Sequence, residues 1–219
     1  MILDKYIKEM IHKIQTINQG SQITFATTCP HCGNNGTFQN IFGKDTFETN
    51  YKYWYGSRRC PNPKCNGHIF FISDNGGNLI KTYPSLKIAF DSERIPDRIK
   101  NTFDEALTCH GNNCYIASAI MIRKTLEEIC LDKSSTGPNL FKRIENLKSK
   151  IVLPEELING MHELRLLGND AAHIEANTFE QIGKDELEIS IEFTKEILKA
   201  VYQYENLLER LRSLKKEEE

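Results

Sequence analysis

The chain has 219 residues, 39% of them hydrophobic, enough to bury a core in one domain or two small ones. Its 28 basic and 30 acidic residues nearly cancel, which excludes a polybasic or polyacidic protein and leaves only local patches to attract a charged partner. No run reaches the roughly 20 apolar residues of a membrane span, and the opening MILDKYIKEMIHKIQ interleaves charges with apolar positions, so neither a spanning helix nor a signal peptide is expected.

In chain order, Ile2, Leu3, Tyr6, Ile7, Met10, Ile11 and Ile14 recur at three- and four-residue steps, which predicts an amphipathic N-terminal helix over 1–20. Residues 21–83 change to short β-rich runs (ITFAT, GTFQNIF, YKYWY, HIFFIS, NLIKTY) broken by Gly, Asn and Pro. An extended linker over 84–95 follows.

From Pro96 the sequence reads as helix. One helix runs to about His110 with Ile99, Phe103, Ala106 and Leu107 on one side, and Pro96 suits its first turn. A second, about 113–131, is the most apolar and is expected at the centre of a bundle. A short helix over about 139–148, another from Pro154, and a long last one over about 184–214 complete a helical bundle over 96–214. The tail over 215–219 should fray. The fold class expected is α+β, a small β-rich zinc ribbon followed by an α-helical bundle.

Cys29-Pro-His-Cys32-Gly places two thiolates in a tight turn, and Cys60-Pro-Asn-Pro-Lys-Cys65 supplies a second pair at slightly wider spacing. Four cysteines so arranged complete a tetrahedral Zn²⁺ shell with no open position, so the metal would be structural and its binding would contribute folding free energy. His31 and His68 lie close enough to replace one cysteine as ligand. An odd total of seven cysteines, four in close pairs, fits a metal site in a reducing compartment better than a disulfide framework, and the protein is expected in the cytoplasm. Cys109, Cys114 and Cys130 fall on helices and are expected to pack in the core.

Between the cysteine pairs, Tyr53, Trp54, Arg58 and Arg59 offer rings and cations that could stack on and pair with single-stranded nucleic acid. The alternative is that a small β module buries these rings and leaves the arginines solvated. In the bundle, Met161-His-Glu-Leu-Arg165-Leu-Leu-Gly168-Asn169-Asp-Ala-Ala-His173 sets Arg165, Asn169 and His173 at i, i+4 and i+8, along one stripe if the helix continues. Gly168 and Ala171-Ala172 would let another helix or subunit approach closely. A cation, an amide and an imidazole on one wall could hold a phosphate and move a proton, as metal-independent RNA cleavage by the 2′-hydroxyl requires. The alternative pairs Arg165 with a bundle carboxylate such as Glu127 and leaves Asn169 and His173 as capping and boundary residues.

The order of zinc ribbon, Ile95-Pro96, Phe103-Asp-Glu-Ala106 with Cys109, Ala119-Ile-Met-Ile-Arg123-Lys-Thr-Leu-Glu127-Glu-Ile-Cys130, then Leu164-Arg165-Leu-Leu-Gly168-Asn169-Asp-Ala-Ala-His173, resembles the bacterial proteins grouped as domain of unknown function 4145. That resemblance implies a HEPN-like four-helix domain, many examples of which are dimeric RNases of toxin, antiviral defence and RNA-processing systems. It therefore implies an RNA-directed role, a homodimer, and a restriction or defence partner protein. Active HEPN enzymes carry an arginine, often followed by a polar residue, then roughly four to six residues and a histidine. Here seven residues separate Arg165 from His173, and Gly168 stands before Asn169 where those enzymes carry their arginine.

Two functions follow. One is a metal-independent endoribonuclease with His173 as acid or base, Arg165 stabilising the phosphorane and Asn169 orienting the phosphate. The other is a non-catalytic module binding nucleic acid or protein. The sequence shows no carboxylate cluster suited to a metal-dependent nuclease.

Overall fold

A computed structural model describes residues 17–20, 25–41, 43, 45–49, 52–173, 175, 178, 179 and 181–214. The helix expected over the first residues lies outside these up to residue 16. Where its end was expected, Ile17–Gly20 forms a strand, β1, held by pairing with Asp45–Glu48. The chain divides into two compact units, Met1–Ala89 and Phe90–Glu219.

The first unit is β-rich. After β1 come β2 (Ala26–Thr28), β3 (Asn35–Thr37), β4 (Gln39–Asn40), β5 (Asp45–Glu48), β6 (Tyr53–Arg59), β7 (His68–Ser73) and β8 (Leu79–Tyr83). The main sheet is antiparallel in the order β1-β5-β6-β7-β8, and β4 adds to the same edge of β6 as β5. β2 and β3 form a separate hairpin. Strand side chains alternate between faces, so Phe71 and Ile69 of β7 share a face with Arg58 of β6, across from Gly56 and Arg58 respectively. Both apolar residues are buried.

The second unit is helical: α1 (Asp97–Gly111), α2 (Tyr115–Asp132), α3 (Leu140–Leu147), α4 (Glu155–Ala172), α5 (Lys184–Tyr202) and α6 (Tyr204–Ser213). Pro96 stands at the N-cap of α1, one residue before the first turn, and Asn139 caps α3 by accepting the Lys142 amide at 3.0 Å. Phe90, in the segment read as linker, packs edge-on against Phe103 with ring centroids 4.7 Å apart. α2 packs against α1, α3, α4 and α5, the central position its apolar sequence predicted. Ala119, Ile122, Leu126 and Ile129 are wholly buried there, and the Ser118 hydroxyl donates to the Ala106 carbonyl of α1 at 2.9 Å.

The last helix is not continuous. It breaks at Gln203, whose amide side chain donates to the backbone carbonyls of Asp91 and Glu93, both at 3.1 Å. No helix among the described residues is long and apolar enough to cross a membrane.

Candidate functional site

Cys29 and Cys32 lie in the turn between β2 and β3, and Cys60 and Cys65 in the turn between β6 and β7, so each pair rides on an antiparallel hairpin. Their four sulfurs lie within 4.8 Å of one another and could hold a metal ion. Backbone amides aim at them: His31 N–H to Cys29 Sγ and Asn62 N–H to Cys60 Sγ at 3.4 Å, and Gly67 N–H to Cys65 Sγ at 3.3 Å. Gly33 takes φ +71°, the left-handed conformation that the first turn requires.

The thiols differ before any ion binds. An amide hydrogen bond from Asn34 leads the causes that draw Cys32 down to about 7, whereas burial pushes Cys60 up to about 12. Four sulfurs at these spacings fit a soft or borderline cation in a closed shell. His31 is directed elsewhere, its Nε2 lying 2.9 Å from the His68 carbonyl, and the close group consists of the four cysteines alone. All seven cysteines are free of disulfides. Of the other three, Cys130 is fully buried, Cys109 half-buried and Cys114 exposed, so core packing describes Cys130 and not Cys114.

The proposed contact surface of the ribbon does not hold together. Arg58 is 1% exposed and forms two contacts with Asp45, Nη1 to Oδ1 at 2.8 Å and Nη2 to Oδ2 at 2.6 Å. Its guanidinium lies 4.5 Å from the Phe71 ring centroid and 5.8 Å from that of Phe25. Arg58 is therefore a core ion pair and cannot meet a phosphate. Trp54 is half-buried, on the same face as Arg58, with its ring 4.8 Å from that of Phe47. Tyr53 and Arg59 alternate onto the other face, where exposed Arg59 donates to Gln39 Oε1 at 2.9 Å.

In the helical unit, Gly168 receives α2 at close range. A Cβ at Gly168 would lie 2.5 Å from Arg123 Cβ and 3.1 Å from the Ala119 carbonyl oxygen. Arg123 Nη1 donates to the Arg165 carbonyl at 3.1 Å, and its Nε lies 3.4 Å from Glu127. Glu127, considered above for Arg165, thus serves Arg123. The Arg165 guanidinium sits 5.6 Å from the ring centroid of Phe141 on α3, and its Nε is buried without a hydrogen-bond partner. Burial first, then the like charge of Arg123, lowers its pKa. Phe141 is 41% exposed, and Lys142 Nζ also lies 5.6 Å from its ring. His162 also neighbours the Phe141 ring, at 4.7 Å between centroids, and is held by Glu145 at 2.8 Å.

Asn169 is half-buried and its carbonyl accepts the His173 amide at 3.0 Å. α4 ends at Ala172, and His173 takes an extended backbone, φ −131° and ψ 122°. The expected stripe therefore stops short of His173. Asp170 Oδ2 accepts the Phe179 amide at 2.7 Å and the Thr178 amide as well, which ties the following turn to the helix end. Arg165 and His173 stand eight residues apart, roughly 12 Å of helical rise, and helical side chains lean toward the N-terminus. Arg165 goes to Phe141 while His173 is exposed beyond the helix end. Sequence reasoning missed Phe141 and Lys142, for which an exposed aromatic followed by a cation was the available signal.

The two units thus define a tetracysteine β module followed by a helical bundle with a paired-arginine locus. The model of the DUF4145 family, a domain of unknown function, matches residues 104–216, and the chain belongs to that family. No curated protein and no solved structure matches the chain.

Proposed function

We propose that the helical unit is a HEPN-like, RNA-directed binding domain, and that the tetrathiolate is a structural zinc site. The observation that carries the binding reading is Arg165. It makes no ion pair among the described residues, stands beside a second guanidinium, and lies over a part-exposed aromatic ring. Two neighbouring guanidinium groups repel, and a phosphate between them would relieve that repulsion through charge-assisted hydrogen bonds. Phe141 would offer a base a stacking face, with Lys142 adding sequence-independent attraction.

Single-stranded RNA fits this pairing of cations with an exposed ring, because its bases are free to stack. Zinc fits the donor set because four thiolates suit a tetrahedral d¹⁰ ion. The homodimer and the restriction or defence partner rest on the family resemblance, and the cytoplasmic location on the cysteine usage.

A second reading keeps catalysis, and exposed His173 favours it as a residue open to substrate. In that reading Arg165 stabilises the phosphorane, Asn169 orients the phosphate and His173 moves the proton. Their divergence within one chain makes binding without turnover the better-supported reading. The test incubates full-length protein with labelled single-stranded RNA in EDTA. Retention of intact RNA supports the binding domain, whereas cleavage lost in both Arg165→Ala and His173→Ala establishes the endoribonuclease. Failure to bind or cleave any RNA would sink both.

A further inference from the structure

α1 ends in a turn that brings two thiols together. Asn113 takes the left-handed conformation, φ +61°, its amide donates to the His110 carbonyl at 2.8 Å, and the Cys114 amide reaches back to the Cys109 carbonyl at 2.9 Å. This pair of nested hydrogen bonds defines the Schellman turn, which commonly packs its first residue against its sixth. Both of those residues are cysteines here. With standard backbone dimensions, a 2.9 Å bond from Cys114 N to Cys109 O keeps the two Cα atoms within about 6.8 Å, inside the range that a disulfide bridges.

The two thiols are unequal. Cys114 is exposed, and its thiol donates to the Asn112 carbonyl at 3.7 Å, a weak contact that is readily given up. Cys109 is half-buried. Burial first, then the neighbouring Cys114 and Glu105, push its thiol above the ordinary value, so each sulfur lies within electrostatic reach of the other.

α2 ends in the same turn and provides a comparison. Ser134 takes φ +53°, its amide donates to the Leu131 carbonyl at 3.0 Å, and the Ser135 amide donates to the Cys130 carbonyl at 2.7 Å. There the sixth residue is a serine, so no bridge can form, and burial pushes the Cys130 thiol up to about 11. The four clustered cysteines lie in the other unit.

We propose that Cys109 and Cys114 form a reversible dithiol–disulfide site that exchanges with small-molecule disulfides of the glutathione type. The solvent-open Cys114 thiolate attacks one sulfur of glutathione disulfide and displaces a glutathione thiolate. Cys109 then loses its proton to solvent and attacks the Cys114 sulfur of the mixed disulfide, displacing the second glutathione. The protein pair gives up two electrons and two protons, and the oxidant leaves as two glutathione thiols. The new bond ties the C-terminal end of α1 to the start of α2. Neither RNA nor the metal centre takes part.

The test treats full-length protein, purified under reducing conditions, with glutathione disulfide, alkylates the remaining thiols with iodoacetamide in denaturant, and weighs the tryptic peptide Asn101–Arg123. That peptide contains both cysteines and no other. It should carry no alkyl group and be lighter than its dithiol form by two hydrogens, and dithiothreitol should restore two alkylatable thiols. In Cys114→Ser the same treatment should leave Cys109 free to be alkylated. Two alkylated cysteines after oxidation would overturn the site, as would a glutathione adduct left on Cys114 beside an alkylated Cys109, or a disulfide joining two peptides. Glutathione uptake by Cys109 in Cys114→Ser would also overturn it, by making the half-buried thiol the attacking group.

Discussion

Arg58 and Asp45 face each other across the β5–β6 pairing through two short contacts, 2.8 and 2.6 Å, each side chain 1% exposed. Gly56 makes room for the pair, since a Cβ there would collide with the Asp45 carboxylate. Removing one member of a buried ion pair leaves an uncompensated charge and costs about 3–5 kcal/mol. Asp45→Ala should therefore unfold the β unit at a denaturant concentration that leaves the helical unit intact. Trp54, the single tryptophan, lies on the adjoining strand position and reports that transition by fluorescence.

The same reporter reads the metal centre. A strong chelator, or Cys60→Ser, should red-shift Trp54 emission while the far-ultraviolet helical signal persists, because two of the cysteines, Cys29 and Cys60, pack with Phe38 and Ile69 in one core cluster of the β module. Metal analysis of purified protein should find one zinc per chain. An unchanged Trp54 spectrum after complete metal removal would contradict a structural role.

Gly168→Ala tests the close approach of α2 to α4. The added methyl would lie 2.5 Å from Arg123 Cβ, so a helix backbone or the arginine stem must shift, and overpacking of this kind costs about 1–3 kcal/mol. Thermal unfolding should occur earlier even though alanine is the better helix former.

His110 links stability to pH. It is 8% exposed, its Nε2 has no hydrogen-bond partner, and Glu188 lies 3.9 Å away, too far for one. Burial lowers its pKa, Glu188 opposes that shift and Lys184 adds to it. The unfolded chain thus takes the proton more readily, so the stability present above the ordinary histidine value of about 6.5 is lost as pH falls through the lowered folded value. His110→Gln should flatten that acid-side decline in the melting temperature of the helical unit.

Local patterns were legible in the sequence and long-range pairings were not. The four cysteines announce themselves through spacing within two short turns, and the helices of the second unit follow from apolar periodicity and from Pro96 and Pro154. Gly168 was readable as a point of close approach because only a missing side chain admits another helix. The burial of Arg58 depends on strand register with Asp45, thirteen residues away, which local composition does not encode. His173 leaves its stripe where α4 ends, at a turn held by an Asp170 contact to Thr178 and Phe179. The contacts of Gln203 at the interruption of the last helix likewise reach the distant carbonyls of Asp91 and Glu93.

The most direct test of the central claim is the affinity of the full-length protein for fluorescent single-stranded RNA, measured by anisotropy across a salt series with wild type, Arg165→Ala and Phe141→Leu. Each loss should weaken binding by at least about fivefold, in keeping with roughly 1–3 kcal/mol for a stacked base. Arg165→Ala should also lower the salt slope by about one phosphate contact, while Phe141→Leu leaves that slope unchanged. Equal affinity in all three proteins, or no RNA binding by wild type at low salt, would contradict the account.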